Sequence, residues 1–218
     1  MGKVALVVGA TGLVGNELVR ILLSAPEYEK VIVWVRTSMD INHNKLEEKI
    51  INFRELDKHV IDKSVNHVFC CLGTTMRKAK NMEAFATVDL EYPVVLAKKA
   101  RERQVSQFLT ISAMGADPNS KIFYNRIKGQ LEEELKKVGL PGLHIFRPSL
   151  LLGKRKEFRL GEKAAGAAYR VLPFIFIGSI KKYKPIHART VARAMYRVAL
   201  TEKHGVNIYE SNNIAKMT

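Results

Sequence analysis

Apolar runs of strand length alternate along this chain with longer segments whose apolar positions recur every three or four residues. The strand-like runs fall at Lys3–Val8, 30–35, 49–53, 67–72, 107–112 and 143–148. Most of them are apolar on consecutive residues, which predicts strands covered on both faces. Between them the pattern predicts a helix over Leu13–Ser24, a broken helix over 79–103, and a helix over 119–138 in which Ile127, Leu131 and Leu135 repeat at helical spacing. Such a rhythm predicts an α/β fold, a doubly wound parallel sheet of the Rossmann type with helices on both faces. From Leu150 onward the rhythm breaks. That part reads as a loop rich in Lys, Arg and Gly, a helix near 162–172, an apolar stretch at 171–180, a helix over 190–200 and a short strand near 206–209. It is expected to supply a small substrate-side region, with 171–180 as a buried segment or pocket lid.

With 218 residues, of which 47% are hydrophobic, the chain suffices for one well-buried core, and a single domain over 1–218 is expected. No internal repeat, low-complexity segment or linker divides it. The first apolar run is cut short by Gly9, which argues against a secretory leader. The stretch 171–180 contains Pro173 and Gly178 and is about half the length that spans a bilayer. A cytoplasmic protein without a membrane span is therefore expected. Cys70 and Cys71 are adjacent and would point to opposite faces of a strand, so they read as small buried hydrophobes in a reducing compartment. No metal is assigned, because no Cys or His partner stands at ligand spacing beyond a lone His67.

The formal charge of +15 admits nucleic acid, an anionic surface or a polyanionic cofactor as partners. Lys and Arg are scattered, however, without aromatic interleaving or a nucleic-acid-binding motif, so a solvated basic surface is the expectation and nucleic acid is disfavoured.

Candidate chemistry begins with Gly9-Ala10-Thr11-Gly12-Leu13-Val14-Gly15, between the first strand and the first helix. Glycine is required where a chain turns sharply and where backbone must approach a pyrophosphate, and the helix N-terminus offers free N–H groups. Strand before and helix after are the context that makes the motif a dinucleotide signal. At the end of the second strand, NAD-binding proteins carry a carboxylate for the ribose 2′-hydroxyl, whereas an Arg accommodates a 2′-phosphate. Here Arg36-Thr37-Ser38 comes first and no carboxylate appears until Asp40, so NADP is expected, with NADPH preferred over NADH. Further along, Ser112 ends a strand, and Tyr124 and Lys128 lie one turn apart on a helix. An ammonium beside a phenol favours the phenolate and makes the tyrosine a usable proton donor or acceptor.

Through GATGLVG at 9–15, the set Ser112, Tyr124 and Lys128, and FRPSLLLG at 146–153, the sequence resembles the short-chain dehydrogenase/reductase superfamily over nearly its whole length. CCLGTTMRKA at 70–79, SAMGAD at 112–117 and YNRIKGQLE at 124–132 resemble its atypical branch named for the Tat-interactive protein. The resemblance implies that Tyr124 protonates a substrate carbonyl, Lys128 holds the nicotinamide ribose and tunes Tyr124, and Ser112 hydrogen-bonds the carbonyl oxygen. It implies further cofactor contacts at Leu72, Gly73 and Thr74, at Pro148 and Ser149 beside the nicotinamide, and at Leu56 and Asp57 near the adenine. Two departures stand out. A shift of one residue would put Ala113 rather than Ser112 at the serine position, and Val88-Asp89-Leu90 stands where many relatives carry an Asn of the proton relay. The expected function is an NADPH-dependent oxidoreductase acting on a small carbonyl or alcohol. The alternative is an NADPH-binding regulatory or redox-sensing protein that acts through protein partners.

Overall fold

A computed structural model describes residues 2–153 and 184–217; the predicted helix near 162–172 and the lid at 171–180 lie outside the described residues. The strands are β1 (Lys3–Val8), β2 (Tyr28–Val35), β3 (Leu46–Ile50), β4 (His67–Cys70), β5 (Gln107–Ile111), β6 (Gly142–Arg147), β7 (Leu151–Leu152), β8 (Ile186–His187) and β9 (Gly205–Glu210). The helices are α1 (Leu13–Ser24), α2 (Met76–Ala79), α3 (Met82–Ala86), α4 (Tyr92–Glu102), α5 (Phe123–Val138), α6 (Ala188–Leu200) and α7 (Ser211–Lys216). One parallel sheet runs in the order β3-β2-β1-β4-β5-β6-β9, and β7 pairs with β8 in a two-stranded sheet. Strand order reverses between β1 and β4, which opens a crevice at their carboxyl ends.

Each central strand sends alternate residues to opposite faces, so both faces need apolar side chains. Ala5 and Val7 of β1 join a core with Leu18 and Leu22 of α1 and Val191 and Met195 of α6. Val4, Leu6 and Val8 face a second core with Leu96 of α4 and Leu131 and Leu135 of α5. Each such aliphatic side chain contributes about 1.5–3 kcal/mol when fully buried, so the two layers hold the sheet between them.

The central elements lie where the apolar pattern predicts them; the edges depart from it. β3 begins at Leu46 rather than 49, because an edge strand needs little apolar surface. Its Glu47 pairs with Lys30 and Lys49, while the apolar residues after Ile50 enter a 3-10 turn at Phe53–Lys58. α5 begins at Phe123 rather than 119, since Asn119 and Ser120 are bound in a turn to Asp117. The broken helix resolves into α2, α3, a π-helical turn at Thr87–Glu91 and α4.

The amino ends of the strands are closed by a partly buried polar chain. Tyr28 Oη lies 2.6 Å from His67 Nδ1, and His67 Nε2 lies 3.0 Å from Glu202 Oε1. Gln107 donates to Glu202 Oε2 at 3.3 Å and through its carbonyl oxygen meets His144 Nε2 at 2.6 Å; His144 Nδ1 meets Tyr209 Oη at 3.1 Å. Because Gln107 Oε1 can only accept, His144 Nε2 carries the proton and Nδ1 accepts from Tyr209. Burial holds both histidines neutral, lowering His67 below its ordinary pKa and His144 to about 4.

Candidate active site at the carboxyl ends of the strands

The loop from β1 to α1 is built for backbone approach. Gly9 has φ +87°, and a Cβ on it would lie 2.5 Å from the Cys71 carbonyl carbon. A Cβ on Gly15 would run into the Gly9 carbonyl oxygen, which already accepts from Gly12 N at 3.0 Å. Thr11 and Gly12 are exposed, whereas the Val14 side chain belongs to the core, so its contribution at this loop is its N–H. α1 has no side-chain cap and no acid in its first turn, and the N–H groups of Leu13, Val14 and Gly15 have no partner among the described residues. A cradle of unpaired donors at a helix N-terminus fits a pyrophosphate.

Beyond β2, Arg36 and Thr37 are exposed, and Arg36 has no partner among the described residues. The Ser38 hydroxyl is directed to Glu48: it donates to Glu48 Oε2 at 2.7 Å, and Met39 N donates to Glu48 Oε1 at 3.0 Å. A carboxylate therefore does stand beside the end of β2. It comes from β3, and pairing across the sheet, invisible in sequence order, brings it there.

At the expected adenine contact, the Leu56 side chain is 2% exposed and packs in the second core, which leaves its backbone as the part able to meet a ligand. Asp57 is exposed, and its carbonyl accepts from Lys99 Nζ. After β4, Leu72 and Thr74 are half-buried and Gly73 is exposed at the crevice. After β6, Pro148 is buried and its carbonyl accepts from Met114 N, while the Ser149 hydroxyl is bound to the Lys184 carbonyl at 2.5 Å and to Ser211 Oγ at 3.0 Å.

Tyr124 and Lys128 stand one turn apart on α5, with the half-buried Tyr124 ring edge-on to Phe85 at 5.9 Å. The Lys128 ammonium is buried 2.7 Å from Asp89 Oδ1 and 3.5 Å from the Ile111 carbonyl. Burial acts to strip its proton, but the charges of Asp89 and then Tyr124 outweigh burial and raise the lysine above its ordinary pKa. Asp89 was not among the expected site residues. It is 1% exposed, and its other oxygen accepts from Thr74 N at 2.7 Å.

Ser112 is turned toward Glu132. It is 3% exposed and its hydroxyl donates to Glu132 Oε1 at 2.6 Å, so the one proton it could give a carbonyl oxygen is committed. Glu132 is in turn gripped by Arg147 through Nε at 2.9 Å and Nη2 at 2.6 Å, and Arg147 reaches Glu210 at 3.0 Å. The hydrogen bond to Glu132 above all raises the Arg147 pKa, so the guanidinium stays charged. Gly129, between Lys128 and Glu132 in their helix, has the Asp117–Pro118 backbone directly against it and leaves no room for a Cβ.

Both cysteines are free thiols; burial pushes Cys70 up to about 11 and raises Cys71 as well, which leaves them unreactive. Among the described residues no group of His, Cys, Asp or Glu could hold a metal ion, and no helix is long and apolar enough to cross a membrane.

Residues 5–132 match the NAD dependent epimerase/dehydratase family. Protein HTATIP2 of Rattus norvegicus is 31% identical over 175 residues, which span 78% of this chain and 72% of that protein. Protein FMP52, mitochondrial, of Eremothecium gossypii is 29% identical over 216 residues, 98% of this chain and 96% of that one. The Bordetella bronchiseptica enzyme WbmH, solved in complex with NAD+, superposes with a TM-score of 0.71 at 15% identity over 97% of this chain and 76% of its own; that likeness shows the fold. The expectation of a cytoplasmic protein is overturned by the FMP52 relatives, which are named as mitochondrial. Absence of a secretory pattern at the start of the chain had no bearing on that compartment. The resemblance carried by the glycine loop and by Tyr124 and Lys128 is thus matched over more than half the chain, and the protein belongs to the NAD dependent epimerase/dehydratase family.

Proposed function

We propose that this chain is an NADPH-dependent oxidoreductase of the short-chain dehydrogenase/reductase type that acts on a small carbonyl or alcohol, working as one dinucleotide-binding domain whose part from about 150 to 218 completes the substrate side. The observation that carries the reading is the placing of Tyr124 and a charged Lys128 on one face of α5, at the same end of the sheet as the unpaired N–H groups of α1. Those N–H groups and the bare backbone of Gly9, Gly12 and Gly15 would hold the pyrophosphate. Arg36, exposed and unpaired among the described residues, would take the 2′-phosphate. Leu72, Gly73 and Thr74 would line the cofactor, and Pro148 and Ser149 would border its nicotinamide. When bound, the nicotinamide supplies or accepts the hydride. Lys128 has a proton to spare for ribose hydroxyls beyond those directed at Asp89 and Ile111. Tyr124, with its ring steadied by Phe85, donates a proton to the carbonyl oxygen in reduction and takes one in oxidation.

A second reading is favoured by one observation: the Ser112 hydroxyl is committed to Glu132, so the carbonyl oxygen lacks that donor. Without it the protein would bind NADPH as a regulatory or redox-sensing molecule with little turnover, acting through protein partners. The experiment that tests both is titration of NADPH and NADH by nucleotide fluorescence, followed by a broad carbonyl screen for oxidation of the bound cofactor. Binding with turnover supports the oxidoreductase; binding with none supports the sensor; no binding of either dinucleotide overturns both.

A further inference from the structure

We infer that Asp89 is a positioning residue of this site: its two carboxylate oxygens tie Lys128 on α5 to the Thr74 loop after β4, and its charge keeps the lysine in the ionised form that grips a dinucleotide. This rests on the dinucleotide reading above.

The inference starts from the backbone. Thr87–Glu91 is a π-helical turn between α3 and α4, and such a turn adds a residue to a helix and re-aims its side chains, frequently at functional sites. Here it delivers a carboxylate into the interior, where Asp89 is 1% exposed. Oδ1 stands 2.7 Å from Lys128 Nζ, and Oδ2 accepts from Thr74 N at 2.7 Å. One side chain thus sets the relative position of two segments that both border the crevice. An uncharged amide could accept the same bond from Thr74 N, so the hydrogen bond to the loop does not explain why the group is an acid. The ion pair does.

Lys128 is surrounded from each element packed on it. Asp89 faces it from the π-helical turn, Tyr124 from its own helix, the Cys70 thiol from β4 and the Ile111 carbonyl from β5. Of these groups Asp89 is the carboxylate and makes the ion pair, at 2.7 Å, while burial holds the Cys70 thiol protonated. A buried ammonium without a counter-charge loses its proton readily. The carboxylate prevents that, and a charged lysine with a donor left over is what a ribose requires.

The test is the pH dependence of cofactor affinity, read by fluorescence titration of NADPH and NADH at pH 7 and pH 9.5. The wild type is expected to hold its affinity within about threefold between the two, its lysine remaining charged. Asp89→Asn keeps the acceptor for Thr74 N but leaves Lys128 without a counter-charge, and its affinity should fall about tenfold from pH 7 to pH 9.5, as for a buried ammonium titrating about two units below the ordinary lysine value. Asp89→Asn/Lys128→Arg carries a cation that does not titrate in this range, so the alkaline loss should disappear. A merely structural Asp89 would weaken binding equally at both pH values, and that result overturns the proposal, as does an alkaline loss that survives Lys128→Arg. Should Asp89→Asn fail to fold, the wild type still decides: a fall in its affinity that begins below pH 9 overturns the role. A wild type that binds neither dinucleotide overturns the dinucleotide reading itself, and this role with it.

Discussion

Ser112 gives its hydroxyl proton to Glu132 across 2.6 Å, in surroundings where each residue is 3% exposed or less. The carboxylate also receives both arms of Arg147, which reaches on to Glu210, so a single polar line joins β5, α5, β6 and β9. Ser112→Ala should therefore lower stability by about 1.5–3 kcal/mol, the cost of a lost buried bond to a charged group, while turnover stays within about threefold. Urea unfolding and a turnover assay on the same variant check this. A loss of about a hundredfold in rate at unchanged stability would return the serine to the chemistry.

Tyr124→Phe separates binding from proton transfer, because it removes one hydroxyl and keeps the ring that rests edge-on against Phe85. NADPH affinity should survive, and the rate on any carbonyl substrate should drop by about 10² to 10⁴. Full turnover by this variant would exclude Tyr124 as the acid.

Arg36→Ala should cost about 1.5–3 kcal/mol of NADPH affinity and leave NADH nearly unchanged, as expected for one charged hydrogen bond to the 2′-phosphate. Glu48→Gln should move the balance the other way. Its carboxylate sits on Ser38 Oγ and Met39 N, two and three residues from Arg36, where it repels a phosphate, so neutralising it should strengthen NADPH binding relative to NADH. Titrating both cofactors against both variants decides the assignment, and equal changes for the two cofactors would sink it.

Acid should loosen the fold from its amino-end rim. His144 is buried neutral with its pKa lowered to about 4, mainly by burial, against 6.5 for a free imidazole. The unfolded chain therefore binds the extra proton first, and the stabilisation is complete above about pH 6.5 and is lost as the pH falls toward 4. This one group accounts for roughly 2 kcal/mol between pH 7 and pH 5. His67, lowered by burial as well, acts in the same direction. Denaturant unfolding at the two pH values should show a shallower acid slope for His144→Gln than for the wild type; equal slopes would mean that His144 is already charged in the fold.

The elements that the apolar pattern finds best are those buried on both faces. β1 and α1 have the bounds expected of them, because Val4 to Val8 and the helix stripe through Leu18 and Leu22 leave no other register. β3 begins three residues before the apolar pattern places it, because Glu47 and Glu48, on an edge strand, look like loop. β7, β8 and α7 are too short to impose a period. At the site, the glycine loop and the pair Tyr124 and Lys128 are local motifs and could be read in order. Asp89, Glu132 and Glu48 could not, since each acquires its meaning from a partner on another segment. The Asp in Val88-Asp89-Leu90 was a signal of sorts, visible as a departure, but its purpose appears only once Lys128 is beside it.

Gly129 makes α5 behave as one machined part. Tyr124, Lys128 and Glu132 follow one another at four-residue steps on the helix, and the Asp117–Pro118 backbone bears directly on the glycine between the last two. With that bearing surface the helix can neither turn nor slide without collision, and a shift of a single residue would swing all three groups by about 100° together. Phenol, ammonium and carboxylate are consequently aimed as a set, and one residue inserted between 124 and 128 would swing the phenol about 100° away from the other two.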